Sequence, residues 1–270
     1  MDDDVDSNAV GEIADRLWEA QKTGQPCAPP SRDYPLLDVT SAYAVQHRII
    51  ERRKTVGLND APARRVGRKI GLTSFAIQDW LGVSEPDFGV LLDDMVVLDG
   101  AEANTSHLLQ PRVEAEVAFV LGGDIRGPGV TAADVVRATD HVVPALEIID
   151  SRIADWKITY EDTIADNASS GLFVLGNGPR KLIDTDLRCA GMALRKNGAV
   201  VSTGAGAACL GHPVNAVVWL ANKLAEFGQG LRSGEIVLSG ALGPVTDVEA
   251  GDWVRADIAH LGSVSVRFSS

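Results

Sequence analysis

One stretch of the chain decides its fold, Pro111-Arg-Val-Glu-Ala-Glu-Val-Ala-Phe-Val-Leu121. Apolar and β-branched side chains dominate it and alternate with the period of two that is typical of a β-strand. Val113 and its alternate neighbours then point to one face, whereas Glu114 and Glu116 point to the other. The stretch therefore predicts a half-buried strand that presents two carboxylates side by side.

Strands are expected to dominate the chain from about Gly67 onwards. Asn197-Gly198 is a strong signal for a tight hairpin turn, because both residue types tolerate positive φ. Short apolar runs bounded by Gly, Pro and Asn indicate further strands. The predicted strands are residues 112–121, 141–149, 171–176, 189–196, 199–203, 235–239, 252–258 and 263–268.

The front of the chain has helical periodicity instead. Apolar residues share one helical face from Val10 to Trp18, with Gly24 as the stop, and a second such face runs from Ala42 to Ile49. Two later helices are predicted at residues 131–139 and 213–227, and the apolar stripe of the second suggests a surface available for packing between subunits. We therefore expect a mixed α/β fold with a helical N-terminal segment, residues 1–66, and a β-rich metal-binding catalytic domain, residues 67–270.

The charge of the chain limits the classes of partner. Its 270 residues carry a net charge of −12. This charge repels nucleic-acid phosphates and anionic lipid head groups. The sequence contains no apolar run of about 18 residues, and its first residues are acidic where a secretory signal is basic and then apolar. We expect no nucleic-acid or membrane partner, and a cytoplasmic location.

Common signatures of nucleotide binding and serine hydrolysis are absent from the sequence. Gly204-x-Gly206 lacks the third glycine of the dinucleotide fingerprint, and neither a Walker A loop nor a Gly-x-Ser-x-Gly motif occurs. Hydride transfer and serine hydrolysis are therefore disfavoured.

A third acid joins the two glutamates of the predicted strand. Glu147 lies in the apolar run of residues 142–149, where an unpaired carboxylate would be costly to bury. Glu114 and Glu116 alone would also fit a solvent-facing strand edge. With Glu147 they fit Mg²⁺ or Mn²⁺, which prefer oxygen ligands and would keep about three positions for water or substrate. The pattern favours a divalent metal site for a bidentate oxygen ligand.

Three further segments carry candidate side chains. Lys69 lies between glycines and apolar residues, a setting that can lower a lysine pKa toward catalytic use, although a solvated lysine is the alternative. Asp87 is expected in a turn at residues 85–89. Residues 162–170, including Ser169, are expected to form a polar loop that could hold a substrate carboxylate.

A series of short motifs also occurs in order along nearly the whole chain. They are Tyr34-Pro to Tyr43-Ala-Val-Gln, Lys69-Ile-Gly-Leu-Thr-Ser, Pro86-Asp-Phe-Gly, Arg112-Val-Glu-Ala-Glu, Pro144-Ala-Leu-Glu, Ser151-Arg-Ile-Ala-Asp-Trp-Lys, Asp166-Asn-Ala-Ser-Ser-Gly, Gly211-His-Pro-Val-Asn and Leu261-Gly-Ser-Val. In these motifs the chain resembles the 2-hydroxypenta-2,4-dienoate hydratases (2-keto-4-pentenoate hydratases) of the fumarylacetoacetate hydrolase superfamily.

The resemblance implies a β-rich fumarylacetoacetate hydrolase-like core behind a helical segment, a Mg²⁺ or Mn²⁺ ion and a homo-oligomer. The positions that match the family's metal ligands are Glu114, Glu116 and Glu147. Lys69, Asp87 and Asn167 match positions expected in acid/base work and substrate binding.

The resemblance further implies a reaction, addition of water to 2-hydroxypenta-2,4-dienoate to give 4-hydroxy-2-oxopentanoate in the catabolism of aromatic ring-cleavage products. Lys69 or Asp87 is expected to move a proton as the dienol ketonises, and water then adds at C4. A 4-hydroxy-2-oxoacid aldolase is the expected downstream partner. Two alternatives stay open, a metal-dependent 2-oxo-3-hexenedioate (4-oxalocrotonate) decarboxylase and a non-catalytic scaffold subunit.

Apolar side chains farther from the ion are expected to contact the tail of the dienoate substrate. Leu72, Phe75 and Trp80 are the candidates. No extra arginine is evident beside them, which favours a monocarboxylate over a dicarboxylate.

Overall fold

The computed structural model describes residues 7–58 and 60–270, with only the main chain of Trp80 and Leu81. Its framework is two β-sheets. The strands are β1 (Arg65–Gly71), β2 (Asp87–Leu92), β3 (Val96–Leu98), β4 (Glu102–Asn104), β5 (Arg112–Leu121), β6 (Thr139–Ile149), β7 (Ser170–Leu175), β8 (Gly191–Lys196), β9 (Ala199–Ala205), β10 (Ile236–Ala241), β11 (Thr246–Asp247), β12 (Trp253–Ile258) and β13 (Gly262–Ser269).

The larger sheet has eight strands in the order β2-β1-β10-β5-β6-β7-β3, with β11 paired to β5. The smaller sheet has five, in the order β4-β13-β12-β8-β9. The strand predicted at residues 112–121 is confirmed as β5 with the same bounds, and the hairpin at Asn197-Gly198 joins β8 to β9. The prediction of a mixed α/β fold with a β-rich core is confirmed.

The larger sheet curls, because β2 and β7 contact each other although they are not neighbours in its strand order. About 14 Å, three strand spacings, separates β1 from β6 along the sheet. Lys69 Nζ on β1 nevertheless lies 3.1 Å from Glu147 Oε1 on β6. The curl therefore turns β1 toward β6 and gathers side chains from distant strands on one concave face.

Seven α-helices are described, α1 (Ser7–Thr23), α2 (Pro30–Asp33), α3 (Val39–Thr55), α4 (Phe75–Leu81), α5 (Ala132–Ala138), α6 (Tyr160–Ala165) and α7 (Pro213–Glu226). The predicted front helices are confirmed as α1 and α3, and each is followed by a glycine with positive φ, Gly24 and Gly57. Ile13, Leu17 and Val45 are fully or almost fully buried in one apolar core with the sheets. A division into domains at residues 1–66 and 67–270 stays a prediction.

Helix α7 corrects one expectation. Its apolar stripe was expected to be available for packing between subunits. Val217, Leu220 and Leu224 are instead fully buried within the chain. The apolar face of the helix is therefore not available for a contact with another subunit. None of the described helices is both long and apolar enough to cross a bilayer.

Two local predictions were wrong. The turn expected at residues 85–89 is the start of β2, because residues 87–92 pair with β1 and are buried on both faces. The loop expected at residues 162–170 begins inside helix α6, which starts at a capping box formed by Thr159 and Asp162. Only its last part, residues 167–169, is an irregular turn.

Candidate active site

The carboxylate cluster is built by two adjacent strands of the curled sheet. In the antiparallel register of β5 and β6, Glu114 lies directly opposite Glu147, and Glu116 is two residues farther along β5. One carboxylate oxygen from each of the three lies within 4.8 Å of the others. Glu116 and Glu147 are buried whereas Glu114 is partly exposed, so the cluster opens on the Glu114 side. The structure thus brings together the three predicted metal ligands.

The donor set of this cluster fits a divalent cation. Glu116 Oε1 and Glu147 Oε2 are buried and have no hydrogen-bond partner among the described residues. Glu116 is held at its other oxygen, which accepts a 2.8 Å hydrogen bond from the main-chain N–H of Gly240. Buried carboxylate oxygens without donors are costly unless a positive charge compensates them. Three oxygens at this spacing suit a hard divalent ion.

The pKa values of these acids are raised, because their charges are buried close together. Burial raises the pKa of Glu114 to about 7, and the charge of Glu147 adds to this effect. Burial also raises the pKa of Glu116 well above its ordinary value, with Glu147 and Glu114 contributing. The acids therefore repel one another in their charged forms, and they need a cation to ionise together.

Lys69 supplies one positive charge beside the cluster. Its Nζ donates a 2.7 Å hydrogen bond to the carbonyl of Ala168 and lies 3.1 Å from Glu147 Oε1. Burial lowers the pKa of Lys69, but the attraction of Glu147, Asp87 and the other glutamates outweighs burial and raises it overall. The expectation of a lowered lysine pKa is therefore wrong, because β1 and β6 meet through the curl. The solvated alternative is excluded, since Lys69 is only 3% exposed.

Asp87 lies beside Lys69 at the start of β2. Its Oδ1 has no hydrogen-bond partner among the described residues, and its Oδ2 accepts a 3.3 Å hydrogen bond from the Thr163 hydroxyl. That hydroxyl is also 3.3 Å from the Ser169 hydroxyl. Burial raises the pKa of Asp87, although Lys69 opposes the shift. A side chain on Gly71 would collide with Asp87 at 2.1 Å, so this glycine leaves the room that the carboxylate occupies.

The turn after α6 is held in an unusual backbone conformation. Asn167, Ala168 and Ser169 have φ values of 55°, 51° and 52°, in the left-handed region. This conformation costs about 1–2 kcal/mol for each residue with a side chain. It aims the Ala168 carbonyl at Lys69.

Arg152, a residue outside the predicted site, stabilises this turn together with Asp166. The buried Arg152 guanidinium pairs with the Asp166 carboxylate and donates a 2.7 Å hydrogen bond to the Ser170 carbonyl. Arg152 belongs to a motif that carried the resemblance, but no sequence signal gave it a role.

Asn167 closes the gap between the turn and β2. Its amide accepts a hydrogen bond from the Val90 N–H at 2.8 Å and donates one to the Val90 carbonyl at 3.0 Å. These are the two bonds that a neighbouring strand would make. A role of Asn167 in substrate binding stays a prediction.

A second buried amide was missed by the sequence analysis. Gln46 on α3 donates from Nε2 to the carbonyls of Phe88, at 2.9 Å, and Ile164, at 3.0 Å. The N-terminal helices thereby support both β2 and α6.

The candidate tail-binding residues follow β1. Leu72 is partly buried and has a positive φ of 56°, and its carbonyl accepts a hydrogen bond from Gln78 Nε2. Phe75 is 58% exposed. The Trp80 side chain lies outside the described residues. Contact of these side chains with substrate stays a prediction.

Comparison with known proteins gives a consistent result. A family model described as Fumarylacetoacetate (FAA) hydrolase C-terminal matches residues 62–269. The chain is similar to the 2-keto-4-pentenoate hydratase of Paraburkholderia xenovorans (strain LB400), with 51% identity over 96% of this chain and 94% of that protein. It is 42% identical to the 2-hydroxyhexa-2,4-dienoate hydratase of Comamonas testosteroni, over 98% of this chain and 99% of that one.

A solved structure matches nearly the whole fold. The 4-oxalocrotonate decarboxylase from Pseudomonas putida G7, complexed with magnesium and adipate, superposes with a TM-score of 0.93 at 37% identity, over 98% of each chain. The match therefore includes both the helical front and the strands that carry the carboxylate cluster.

Proposed function

The chain belongs to the fumarylacetoacetate hydrolase family, and on that premise we propose that it is a hydro-lyase that adds water to 2-hydroxypenta-2,4-dienoate. The product is 4-hydroxy-2-oxopentanoate, in the catabolism of aromatic ring-cleavage products. The observation that carries this proposal is the cluster of Glu114, Glu116 and Glu147 beside Lys69, in a chain whose full-length relatives are named hydratases.

Glu114, Glu116 and Glu147 would hold Mg²⁺ or Mn²⁺, because all three present carboxylate oxygens and two of them are otherwise uncompensated. When bound, the ion supplies Lewis-acid polarisation of the 2-oxygen of an oxo acid. The magnesium in the decarboxylase structure supports this assignment.

Lys69 would act as a fixed positive charge. In the metal-free protein its pKa is raised by the surrounding carboxylates. Its Nζ is therefore suited to donate a hydrogen bond to a substrate oxygen on which negative charge develops. The Ala168 carbonyl and Glu147 orient its Nζ for this purpose.

Asp87 is the better candidate for moving the proton. It is buried with one free oxygen, and its raised pKa makes the protonated form accessible. Ketonisation of the dienol removes the proton from the 2-hydroxyl and adds one at C5. Water then adds its oxygen at C4 and a proton at C3, which gives the 4-hydroxy-2-oxo acid. Thr163 and Ser169 form a hydroxyl chain at Asp87 along which a proton can pass.

Product analysis in D₂O tests the proposed reaction. The product from 2-hydroxypenta-2,4-dienoate should be 4-hydroxy-2-oxopentanoate with deuterium at both C3 and C5, detected by NMR. Loss of the dienoate without this product, or no reaction with metal-loaded protein, would contradict the hydratase assignment.

The second candidate is the 4-oxalocrotonate decarboxylase, which the close structural likeness favours. That reaction breaks a carbon–carbon bond of 2-oxo-3-hexenedioate, releases CO₂ and leaves a dienolate that takes up a proton. The discriminating measurement is CO₂ release from the hexenedioate. A scaffold subunit would catalyse neither reaction, and the complete carboxylate cluster with Lys69 argues against it.

We propose that the enzyme discriminates only weakly between substrates of different chain length. One methylene is worth about 1–3 kcal/mol in an apolar pocket. Pentadienoate and hexadienoate should therefore both react, with kcat/KM ratios of about 10–200. Leu72 and Phe75 are the described side chains that we assign to the tail. A clear preference for the dicarboxylate would transfer the assignment to the decarboxylase.

We further propose a cytoplasmic homo-oligomer whose product is consumed by a 4-hydroxy-2-oxoacid aldolase. The homo-oligomer is proposed from the family to which the chain belongs. The aldolase follows from the chemistry of the product. Light scattering that gave a monomer at micromolar concentration would contradict the oligomer.

A further inference from the structure

A large cavity lies on the other face of the strands that carry Lys69 and Asp87. Side chains alternate along β1 and β2, so Arg68 and Phe88 point away from the carboxylate cluster. They line a cavity of about 1150 Å³ between these strands, α3 and residues 227–236. Its size is that of a large ligand pocket.

The wall of this cavity is positively charged in an acidic protein. The cations that line it are Lys54, Arg64, Arg65, Arg68 and Arg232, and the acids are Glu51 and Glu235. Glu51 pairs with Lys54 at 2.7 Å. The excess of cations is opposite in sign to the net charge of −12 for the whole chain. A local field of this sign attracts anions.

Arg68 is a buried cation of this wall that has no ion pair among the described residues. It is 3% exposed, and its Nη2 donates a 2.6 Å hydrogen bond to the neutral Gln229 Oε1. Its Nε and Nη1 have no partner among the described residues. Glu235, the other acid of this wall besides Glu51, is engaged by Arg65 at 2.8 Å and by the Arg232 N–H at 2.9 Å. A buried guanidinium with free donors calls for an oxyanion, which it can bind with two hydrogen bonds.

An aromatic cluster forms another part of the same wall. The Tyr43 ring stacks on Phe88 with centroids 4.4 Å apart, and Phe227 meets Tyr43 edge-on at 5.0 Å. The Tyr43 hydroxyl is buried and has no hydrogen-bond partner among the described residues. Flat apolar groups pack well against such rings, and a free hydroxyl adds a further donor.

We propose that this cavity is a second ligand site, which binds an aromatic or conjugated organic acid with its carboxylate on Arg68 and its planar body against Tyr43, Phe88 and Phe227. The site is separate from the metal centre because the β1–β2 layer lies between them. It requires no metal ion.

Calorimetry with benzoate as the probe tests this site on the Mg²⁺-loaded protein. Arg68→Gln should weaken benzoate binding by about 10- to 100-fold, because a charge-assisted pair is lost. Arg267→Gln, which removes an exposed arginine from β13, should leave the affinity unchanged. Undetectable binding of millimolar benzoate to the wild type, or equal affinity in Arg68→Gln, would overturn the proposal.

Further variants distinguish this cavity from the metal centre and from a subunit contact. Glu116→Gln disables the metal centre and should retain benzoate binding. Loss of benzoate binding in this variant would place benzoate at the metal centre and refute the second site. Phe227→Ala leaves Arg68 in place and should also weaken benzoate binding, which covers the case that Arg68→Gln does not fold.

Inorganic phosphate binding as tightly as benzoate would refute the assignment of an aromatic ligand. Self-association that only Arg68→Gln abolishes would show that a second copy fills the cavity, and would likewise overturn the proposal.

Discussion

The carboxylate cluster and the turn at residues 167–169 meet at Lys69 but are built in different ways. The cluster lies on two regular strands, where the register sets Glu114 opposite Glu147 without unusual backbone angles. The turn has three consecutive residues in the left-handed region and reaches Lys69 through the Ala168 carbonyl. One region carries electrostatic repulsion and the other carries backbone strain.

The two regions differ in what offsets their unfavourable free energy. Repulsion among carboxylates is relieved by a ligand, a divalent ion, that comes from outside the chain. Strain in the turn is offset inside the chain, by Arg152 on Asp166 and by the two hydrogen bonds of Asn167 with Val90. Perturbing the cluster should therefore change metal binding, whereas perturbing the turn should change stability.

Loss of one carboxylate should have the largest effect. Glu116→Gln keeps the shape of the side chain but removes a ligand charge, so the Mn²⁺ affinity should fall by about 10²-fold or more. The free energy of unfolding of the metal-free protein should not fall, because like-charge repulsion is reduced. Calorimetry and urea unfolding measure the two quantities. Glu102→Gln, at an exposed glutamate of β4, is the matched control, and unchanged metal affinity in Glu116→Gln would mean that the metal site is wrongly assigned.

Lys69→Ala tests the point where the two regions meet. Turnover should fall by about 10²–10⁴-fold, because the fixed positive charge is lost. Mn²⁺ should still bind, since the three carboxylates are intact. Steady-state kinetics decides this, with Lys181→Ala, at an exposed lysine paired with Asp140, as the control. Near wild-type turnover would show that Lys69 is not part of the catalytic machinery.

Asn167→Ala should affect stability through the turn. It removes two hydrogen bonds and leaves two groups of Val90 unpaired, so the free energy of unfolding should fall by about 2 kcal/mol. Urea unfolding measures the change. Asn215→Ala, whose amide makes one exposed contact with the Leu210 carbonyl, should have a much smaller effect. Equal stability of the two variants would refute the role assigned to Asn167.

A change of pH should have the smallest effect, a gradual change in metal affinity. Burial raises the pKa of Glu114 to about 7, and the carboxylate must be ionised to bind a metal ion. Mn²⁺ affinity should therefore fall as the pH drops below about 7, by up to about tenfold per pH unit for this proton and more steeply where Glu116 also takes up a proton. Calorimetry across this range should also detect proton release on binding. An affinity independent of pH near 7 would contradict the raised pKa.

The alternation of side chains with a period of two along residues 112–121 was sufficient to predict β5 and the common direction of Glu114 and Glu116. The apolar surroundings of Glu147 marked it as a partner for them, because a lone buried carboxylate is costly. Both inferences rest on local patterns with a fixed period. They hold because neighbouring strands translate such patterns directly into neighbouring side chains.

The start of β2 was not predictable in this way. Pro86 and Gly89 are typical of a turn, and their sequence context does not reveal the buried strand. A side chain at position 89 would lie 2.5 Å from the Asn167 carbonyl, so the glycine is required by a contact with a segment far along the chain. The raised pKa of Lys69 has the same kind of origin, because its charged neighbours lie on other strands.

Gln46 sets a lower limit on the length of a working chain. It lies before the segment matched by the family model, residues 62–269, yet its amide satisfies the carbonyls of Phe88 and Ile164 beside Asp87 and Thr163. A truncated chain that began at residue 62 would keep every carboxylate of the cluster but would lose the hydrogen bonds of Gln46 to these two carbonyls in the wall next to them. We therefore expect the minimal functional unit to be longer than the segment by which the family is recognised.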